Sequence, residues 1–343
     1  MSARRTLIGA TATAVGLAAA GAGIGIARQR RRITRRTPER PEFGSLRSDP
    51  VTVVADDGTP LHVEVDDADS DVTLVFCHGY ALNLDCWHFQ RAHYRGRVRS
   101  VFYDQRSHGR SGRSPLGNAS IDQLGHDLRT VLDNVAPTGP VVLVGHSMGG
   151  MTIVALAEQF PELLGDRVVG VALISTTAGG LDPSRVLFPM VPGWAGTGAL
   201  QRGVATLARG HRAVDGLRRI GRGVALVATD QLAFGDDVPA SYVEFVDSML
   251  AATPFEVVAE FFPGFGDLDK FDHVGALAKV PTTVICGTDD KLTSIGHSRK
   301  LHSRIDGSEL LECHGAGHMV ILERHDEVNG ELDRVLGATG VTA

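Results

Sequence analysis

The chain has 343 residues, of which 43% are hydrophobic and 22% are charged. This length and balance allow one large or two modest globular domains, and they exclude a disordered chain, a collagen-like chain and a small disulfide scaffold. The net charge of −6 combines nine arginines and one glutamate in residues 1–40 with 25 basic against 39 acidic residues in the remainder. The acidic remainder argues against a nucleic acid as partner, because such binding depends on Lys and Arg contacts to phosphate.

An uncharged apolar run, Leu7–Ala27, lies within the basic N-terminal region. Its 21 residues are long enough to cross a bilayer as a helix, although Ala, Gly and Thr dominate it. Two arginines precede the run and six follow it, which by the positive-inside rule favours an uncleaved anchor that leaves the body in the cytoplasm. The six are Arg28, Arg30, Arg31, Arg32, Arg35 and Arg36. We therefore predict membrane association through this single segment.

The same run has two alternative interpretations. Arg4 and Arg5 before an apolar stretch also fit a cleaved signal peptide, loosely of the twin-arginine type, which would export the protein. A flexible tail is the other interpretation, and its arginines could still adsorb to anionic lipid. Residues 37–50 contain three prolines and no periodicity, so residues 1–50 are interpreted as an anchor followed by a linker.

From residue 51 onward, short runs rich in β-branched residues alternate with longer segments of helical periodicity, which indicates parallel βα units. Two runs, Val51–Ala55 and Leu61–Val65, flank Asp56-Asp57-Gly58 and predict an opening hairpin. Six further strands are predicted: Val72–Cys77, Val98–Tyr103, Val141–Val144, Val168–Ile174, Thr282–Cys286 and Glu309–Glu312. The pattern predicts an α/β fold with a doubly wound, mostly parallel sheet.

Helical segments separate these strands. Ser120 and Gln123 form a capping box ahead of apolar residues that recur at helical spacing as far as Val135, which predicts a helix there. The stretch 179–271 shows helical patterns and no strand signals, and it is too long for a loop. We interpret it as a helical lid inserted between two parts of the core, residues 51–178 and 272–343.

The segment 145–150 has the sequence Gly-His-Ser-Met-Gly-Gly and lies between a predicted strand and an apolar predicted helix. A G-x-S-x-G sequence in this setting places a nucleophilic serine on a strained turn. Side chains at Gly145 and Gly149 would collide with neighbouring backbone, and the N-terminus of the helix behind Ser147 favours a developing negative charge. Ser147 is therefore the predicted nucleophile.

A serine hydroxyl needs a base, and the base needs an acid that orients it. On this architecture the chain order is serine, acid, histidine, so both partners should lie in the C-terminal part. Asp289 and Asp290 lie just beyond the end of a predicted strand, at the edge of the sheet where ligands bind, and either could supply the acid. His318, on a glycine-rich loop, is the predicted base. The backbone N–H groups of Tyr80 and Met148 are predicted to form the oxyanion hole.

The four cysteines, Cys77, Cys86, Cys286 and Cys313, are too few and too scattered for a disulfide framework. We expect them to be small buried side chains, as free cysteines usually are. Cys313 and the neighbouring histidines lack the paired spacing of a zinc site, so no metal is expected.

Five motifs in chain order resemble the α/β-hydrolase fold superfamily, and within it the serine esterase, lipase and haloperoxidase-like group with a helical lid. They are His78-Gly79-Tyr80, the segment Asp104–Ser111, Gly145–Gly150, Gly287-Thr288-Asp289-Asp290 and Gly317-His318. In this family the acid stands three residues after the glycine that closes its strand, so the resemblance implies Asp290. Ser107 departs from the family pattern D-x-R-G-x-G-x-S, which has glycine there. This affects only the local turn. The segment is structural in this family, so Asp104 and Arg106 are expected to brace loops near the site.

The triad and the resemblance together predict a serine hydrolase that cleaves carboxylic esters, lipid acyl esters among the candidates, through an acyl-enzyme. The expected substrate is a small-molecule or lipid ester, and no cofactor is expected. The same triad could instead catalyse perhydrolysis, as in the haloperoxidase-like group, or hydrolysis of a carbon–carbon bond. A non-catalytic binding module on the same fold is the alternative of another class.

Phenylalanines concentrate near the end of the predicted lid. Such a cluster fits an apolar pocket for medium or longer acyl chains, and it fits equally well the packing of lid helices against one another. The five residues are Phe255, Phe261, Phe262, Phe265 and Phe271.

Overall fold

The computed structural model describes residues 25–36, 39, 41–115, 117–181 and 222–341. Most of the apolar run Leu7–Ala27 and residues 182–221 of the predicted lid lie outside the described residues. Within the described part of the chain, no helix is long and apolar enough to span a membrane. The anchor at Leu7–Ala27 stays a prediction.

Among the described residues, eight strands form one sheet in the order β1-β2-β4-β3-β5-β6-β7-β8. β1 pairs antiparallel with β2, and β2 with β4, while every other neighbouring pair is parallel. The predicted fold class and the opening hairpin are therefore confirmed, and each strand lies within two residues of its prediction. The strands are β1 (Pro50–Val54), β2 (Pro60–Asp66), β3 (Thr73–Cys77), β4 (Arg99–Tyr103), β5 (Val141–His146), β6 (Val168–Ile174), β7 (Thr282–Gly287) and β8 (Glu309–Cys313).

Helices cover both faces of this sheet. The predicted cap of the long helix is present, since the Ser120 hydroxyl accepts from the Gln123 N–H at 3.1 Å. The Gln123 side chain instead donates to the Asp56 carboxylate at 2.8 Å, so only half of the capping box forms. The helices are α1 (25–33), α2 (His88–Tyr94), α3 (Ile121–Val135), α4 (Met148–Gln159), α5 (Arg222–Ala233), α6 (Ala240–Ala252), α7 (Phe255–Gly266), α8 (Ile295–Arg304), α9 (Val320–Glu323) and α10 (His325–Ala338).

Alternate side chains of each central strand enter two separate apolar layers. Leu74 and Phe76 of β3 belong to the layer that includes α2 and α10. Val75 and Cys77 of the same strand belong to the layer that includes α3, α4 and α8. All four cysteines are free and buried, as predicted. Burial on both faces explains why these strands are continuous apolar runs in the sequence.

The carboxyl ends of four neighbouring strands carry residues with left-handed backbone. Ala81, Ser107, Ser147 and Ser175 follow β3, β4, β5 and β6, and their φ angles are 57°, 65°, 52° and 45°. Residues other than glycine rarely adopt these angles, and in folded proteins they cluster at functional sites. The family pattern D-x-R-G-x-G-x-S has glycine at the position of Ser107, and glycine adopts this left-handed conformation without steric cost.

The segment Asp104–Ser111 is braced as expected. One oxygen of the Asp104 carboxylate accepts from the Leu84 N–H and the other from the Arg110 N–H, both at 2.8 Å. The buried Arg106 guanidinium donates to both carboxylate oxygens of Asp127 on α3 at 2.6 Å. These contacts hold the loop after β4 beside the loop after β3.

The described part of the N-terminal segment packs against the body, a contact that its interpretation as an anchor followed by a linker did not predict. Ile33 of α1 is fully buried in the layer that also contains residues of α5 and α6. The Arg36 guanidinium pairs with Asp230 and, at 2.7 Å, with Asp237. The Phe43 ring stacks on Phe245 of α6 with ring centroids 4.2 Å apart. Residues 25–36 and 41–50 are therefore an integral part of the fold.

Three helices of the described residues, α5, α6 and α7, lie between β6 and β7, and we call them the cap helices. The phenylalanines near the end of this region divide among separate clusters. Phe261 and Phe265 of α7 pack with Met148 at the start of α4. Phe271 instead lies in the layer with α8, where the Lys300 ammonium is 3.5 Å from its ring centroid. Only part of this group is therefore near the junction of β5 and α4.

Candidate active site

Ser147 occupies the turn between β5 and α4. Its φ of 52° is held by two hydrogen bonds: its N–H donates to the Ile174 carbonyl at 2.9 Å, and its carbonyl accepts from the Thr176 hydroxyl at 2.6 Å. A Cβ at Gly145 would lie 2.5 Å from the Gly149 carbonyl oxygen, and one at Gly149 would overlap the Cys77 carbonyl. The predicted collisions are therefore confirmed, and they explain why the turn requires glycine at both positions.

His318 and Asp290 meet at the same edge of the sheet. The Nδ1–H of His318 donates to Oδ2 of Asp290 at 2.9 Å. The other oxygen of Asp290 accepts from the N–H groups of Leu292 and Thr293, each at 2.9 Å. Burial acts to raise the pKa of Asp290, but the charge and hydrogen bond of His318 and these two N–H groups hold it below its ordinary value. The carboxylate is therefore ionised at neutral pH.

The structure distinguishes between the two neighbouring aspartates. Asp290 is buried against His318, whereas the Asp289 side chain is exposed and accepts from the Thr288 hydroxyl at 3.3 Å. The Asp289 backbone N–H donates to the Ala316 carbonyl at 2.9 Å and so links the two loops. The aspartate side chain that contacts His318 is therefore that of Asp290.

The loop after β3 also approaches Ser147. A Cβ placed on Gly79 would lie 3.2 Å from the Ser147 Cβ. Tyr80 follows directly, and Met148 begins α4, where the first N–H groups of a helix have no acceptor within it. The Tyr80 ring lies edge-on to Phe265 with centroids 4.9 Å apart, and its hydroxyl donates to the Val258 carbonyl. Both contacts connect the loop to cap helix α7.

His146 is a functional neighbour that the sequence did not reveal. Its Nε2–H donates to the His318 carbonyl at 2.9 Å, and the centroids of the two rings are 4.9 Å apart. Burial, and next the charge of His318, lower the pKa of His146 to about 3, so this imidazole is neutral. His146 holds the backbone of His318 without competing for a proton. The sequence signal that could have indicated this contact is the position of His146 directly before Ser147 in the G-x-S-x-G segment.

A second network that sequence reasoning missed fixes the loop carrying Tyr80. His78 donates from Nδ1 to the Gly79 carbonyl at 2.7 Å, and its Nε2 accepts from the Gln105 N–H at 3.0 Å. The Gln105 amide donates to the His78 carbonyl at 2.6 Å, and its oxygen accepts from the Thr152 hydroxyl of α4 at 2.7 Å. Burial lowers the pKa of His78 to about 4, which keeps it neutral in this role. The network joins the loops after β3 and β4 to α4.

The described residues offer no group of three or more His, Cys, Asp or Glu side chains placed to hold a metal ion. What they bring together is a serine on a strained turn, a histidine paired with a buried carboxylate, and a helix N-terminus. These elements at the carboxyl edge of a doubly wound sheet define the class of α/β hydrolases.

Comparison with known proteins agrees with this class. A family model described as the alpha/beta hydrolase family matches residues 74–331, more than half of the chain. The chain therefore belongs to the alpha/beta hydrolase family. It is 26% identical over 263 residues to 3-oxoadipate enol-lactonase 2 of Acinetobacter baylyi. The aligned region covers 77% of this chain and 88% of that protein.

Solved structures give the same result. The enol-lactonase from Burkholderia xenovorans LB400 is similar with a TM-score of 0.67 at 25% identity, over 84% of this chain and 100% of that chain. The bromoperoxidase from Bacillus anthracis has a TM-score of 0.64 at 17% identity, over 84% and 100% of the two chains, and it shows the fold alone. The relatives support a hydrolase.

Replacing Asp290 tests its assignment against its neighbour. We expect Asp290→Asn to slow ester hydrolysis by about 10³- to 10⁴-fold, because an amide can donate to Nδ1 and so favour the wrong tautomer of His318. Asp289→Asn is the matched control and should change the rate by less than about threefold, since its side chain is exposed. Initial rates with a p-nitrophenyl ester provide the measurement. A larger loss in the Asp289 variant than in the Asp290 variant would reverse the assignment.

Proposed function

We propose that this chain is a serine hydrolase that cleaves carboxylic esters through an acyl-enzyme. The observation that supports the proposal best is the contact between His318 and the ionised Asp290, at the sheet edge where Ser147 stands on its strained turn. A buried carboxylate orients an imidazole in this way when the other ring nitrogen is to accept a proton.

In the proposed mechanism, the Ser147 hydroxyl oxygen attacks the ester carbonyl carbon while Nε2 of His318 takes the hydroxyl proton. The carbonyl electrons move to oxygen, and the N–H groups of Tyr80 and Met148 stabilise the oxyanion. The intermediate then expels the alcohol, which receives the proton from His318, and leaves an acyl group on Ser147. Water, deprotonated by His318, then attacks the acyl carbon. The bond to Ser147 breaks, the Ser147 oxygen takes the proton back from His318, and the acid is released. Asp290 stabilises the imidazolium during both halves of the cycle.

Removal of the nucleophile tests the mechanism. We expect Ser147→Ala to reduce the rate with p-nitrophenyl butyrate by at least about 10⁴-fold, because the proposed mechanism then lacks its acyl acceptor. Circular dichroism and thermal unfolding serve to show that the variant is folded. Near-normal turnover by a folded Ser147→Ala protein would refute the mechanism.

A fluorophosphonate probe distinguishes the proposed hydrolase from a non-catalytic binding module on the same fold. The hydrolase forms a covalent adduct at Ser147, whereas a binding module leaves the folded protein unlabelled. Perhydrolysis and carbon–carbon hydrolysis use the same triad, so they remain alternative reactions of the same site. Likeness to a bromoperoxidase in fold does not favour perhydrolysis.

The apolar surroundings of Ser147 bear on the substrate. Phe261 and Phe265 of α7 and Met148 form one buried cluster, against which Tyr80 packs. Only 8% of the surface of Ser147 is exposed to solvent. We propose that the acyl part of the ester binds among these side chains under the cap helices, which then act as the lid over the site.

The acyl-chain preference follows from this placement. With p-nitrophenyl esters from acetyl to octanoyl, we expect kcat/KM to rise toward medium chains, because each buried methylene adds about 0.8 kcal/mol of favourable transfer. Phe261→Ala should reduce this preference more than it reduces the rate with the acetyl ester. A kcat/KM that falls steadily from acetyl to octanoyl would contradict the proposal.

We also propose that the protein works at a membrane, with its catalytic domain on the cytoplasmic side. Ile33 and Arg36 of the N-terminal segment face the body, while five arginines of the same segment are exposed. One of the five, Arg32, pairs with Asp237 at 2.7 Å. The other four are Arg28, Arg30, Arg31 and Arg35. They follow the apolar run at Leu7–Ala27 directly, and such a basic face attracts anionic headgroups.

Vesicle binding by the full chain tests the basic face. Replacing these four arginines, without Arg32, by glutamine should weaken binding to vesicles that contain phosphatidylglycerol by at least about tenfold, and should leave binding to phosphatidylcholine vesicles unchanged. The matched control replaces four exposed basic residues elsewhere: Arg95, Arg97, Lys291 and Arg304. Equal losses in the two variants would show that net charge, and not this face, determines binding.

A further inference from the structure

The loop that carries His318 touches the cap region backbone to backbone. The Met319 N–H donates to the carbonyl of Ala233, the last residue of cap helix α5, at 2.8 Å. A Cβ placed on Gly317 would lie 2.5 Å from the backbone nitrogen of Gly235. The position of His318 therefore depends on the loop that follows α5, as well as on Asp290.

One side chain joins these two loops. Oε1 of Glu323, the last residue of α9, accepts from the Gly317 N–H at 2.7 Å. Oε2 of the same carboxyl accepts from the Gly235 N–H at 3.0 Å and from the Asp236 N–H at 3.3 Å. Each oxygen thus serves a different loop, and only a carboxylate offers acceptors at both positions.

Glu323 is partly buried. Burial raises the pKa of Glu323 to about 7, although the three N–H groups and Arg324 act to lower it. Arg324 forms a parallel link on the surface, since its guanidinium pairs with Asp236 and donates to the His314 carbonyl at 2.9 Å. A polar contact in such a setting is stronger and more directional than the same contact in water.

We propose that Glu323 is a positioning residue that fixes the loop of His318 by tying the Gly317 N–H to the loop after α5. The proposal rests on the proposed function, since it concerns the base of that site. His318 is then held on both sides: Glu323 binds the residue before it, and His146 binds its own carbonyl at 2.9 Å. The cap region thereby takes part in placing the base as well as in covering the serine.

Glu323→Gln tests the proposal. An amide has one acceptor, so its NH₂ group must face the N–H donors of one of the two loops, and that loop loses its partner. We expect kcat with p-nitrophenyl butyrate to fall by about 10- to 100-fold while KM changes by less than about twofold, because a displaced base slows chemistry more than it weakens binding.

Glu331→Gln is the matched control. Glu331 is a buried carboxylate of α10 that accepts from the Thr283 hydroxyl at 2.8 Å and pairs with Arg334 at 2.8 Å, away from both loops. This variant should keep kcat within about twofold of the wild type. Equal falls in kcat for the two variants would overturn the proposal, since the effect would then follow from the loss of any buried carboxylate.

Amide hydrogen exchange separates this proposal from the proposed function, because it needs no activity. Glu323→Gln should increase exchange at the Gly317 or Gly235 N–H, and Glu331→Gln should not. Faster exchange with unchanged kcat would overturn the positioning role and leave the hydrolase mechanism intact. A wild type without ester hydrolysis would instead refute the proposed function.

Glu323→Asp repeats the test if Glu323→Gln does not fold. The aspartate keeps the charge and both oxygens, but its side chain is one methylene shorter and cannot reach both loops. The same fall in kcat at nearly constant KM is expected. A folded Glu323→Asp protein with wild-type kcat and wild-type exchange at Gly317 would overturn the proposal.

Discussion

The left-handed backbone of Ser147 is the constraint on which the site depends. This conformation turns the chain sharply from β5 into α4, so that α4 starts directly against the neighbouring strand β3. Such an approach leaves no space for a side chain at Gly149, whose Cβ would overlap the Cys77 carbonyl. The same approach brings the loop after β3 next to the serine. One strained residue thereby determines where the helix N-terminus, the serine and the opposing loop meet.

Strain of this kind requires a rigid setting, because each residue in an unfavourable region costs about 1–3 kcal/mol. Four successive strands end in such residues, and the fold offsets the cost with two apolar layers and buried hydrogen-bond networks beneath the same edge. The Gln105 amide and the Arg106 guanidinium belong to these networks. The Gln105 amide holds the backbone of the loop after β3 through the His78 carbonyl, and Arg106 ties the loop after β4 to Asp127 of α3. These contacts hold the strained residues in place.

The elements and the main site residues were accessible from the sequence because each has a local signal. Strands buried on both faces are apolar runs, and Ser147 and His318 stand beside glycines in recognisable turns. Contacts between distant segments have no such signal. His146 and His318 are 172 residues apart, and whether Asp289 or Asp290 meets the imidazole depends on the path of one short turn. The residues alone left that choice open, and only the family resemblance favoured Asp290.

The arginines of the N-terminal segment have two different environments, exposed to solvent or paired with the cap region, and composition alone could not distinguish them. Counted together they form a basic stretch beside an apolar run, which is typical of a membrane flank. The structure gives Arg36 a different environment, because its guanidinium is buried against Asp230 and Asp237 at the cap. Ile33 and Phe43 bury apolar surface in the same region. The N-terminal segment thus contacts the cap helices on one face and exposes arginines on the other. Any partner of the exposed arginines is therefore connected to the cap helices through this segment. The cap in turn touches the loop of His318, so the basic segment and the active site belong to one connected structure.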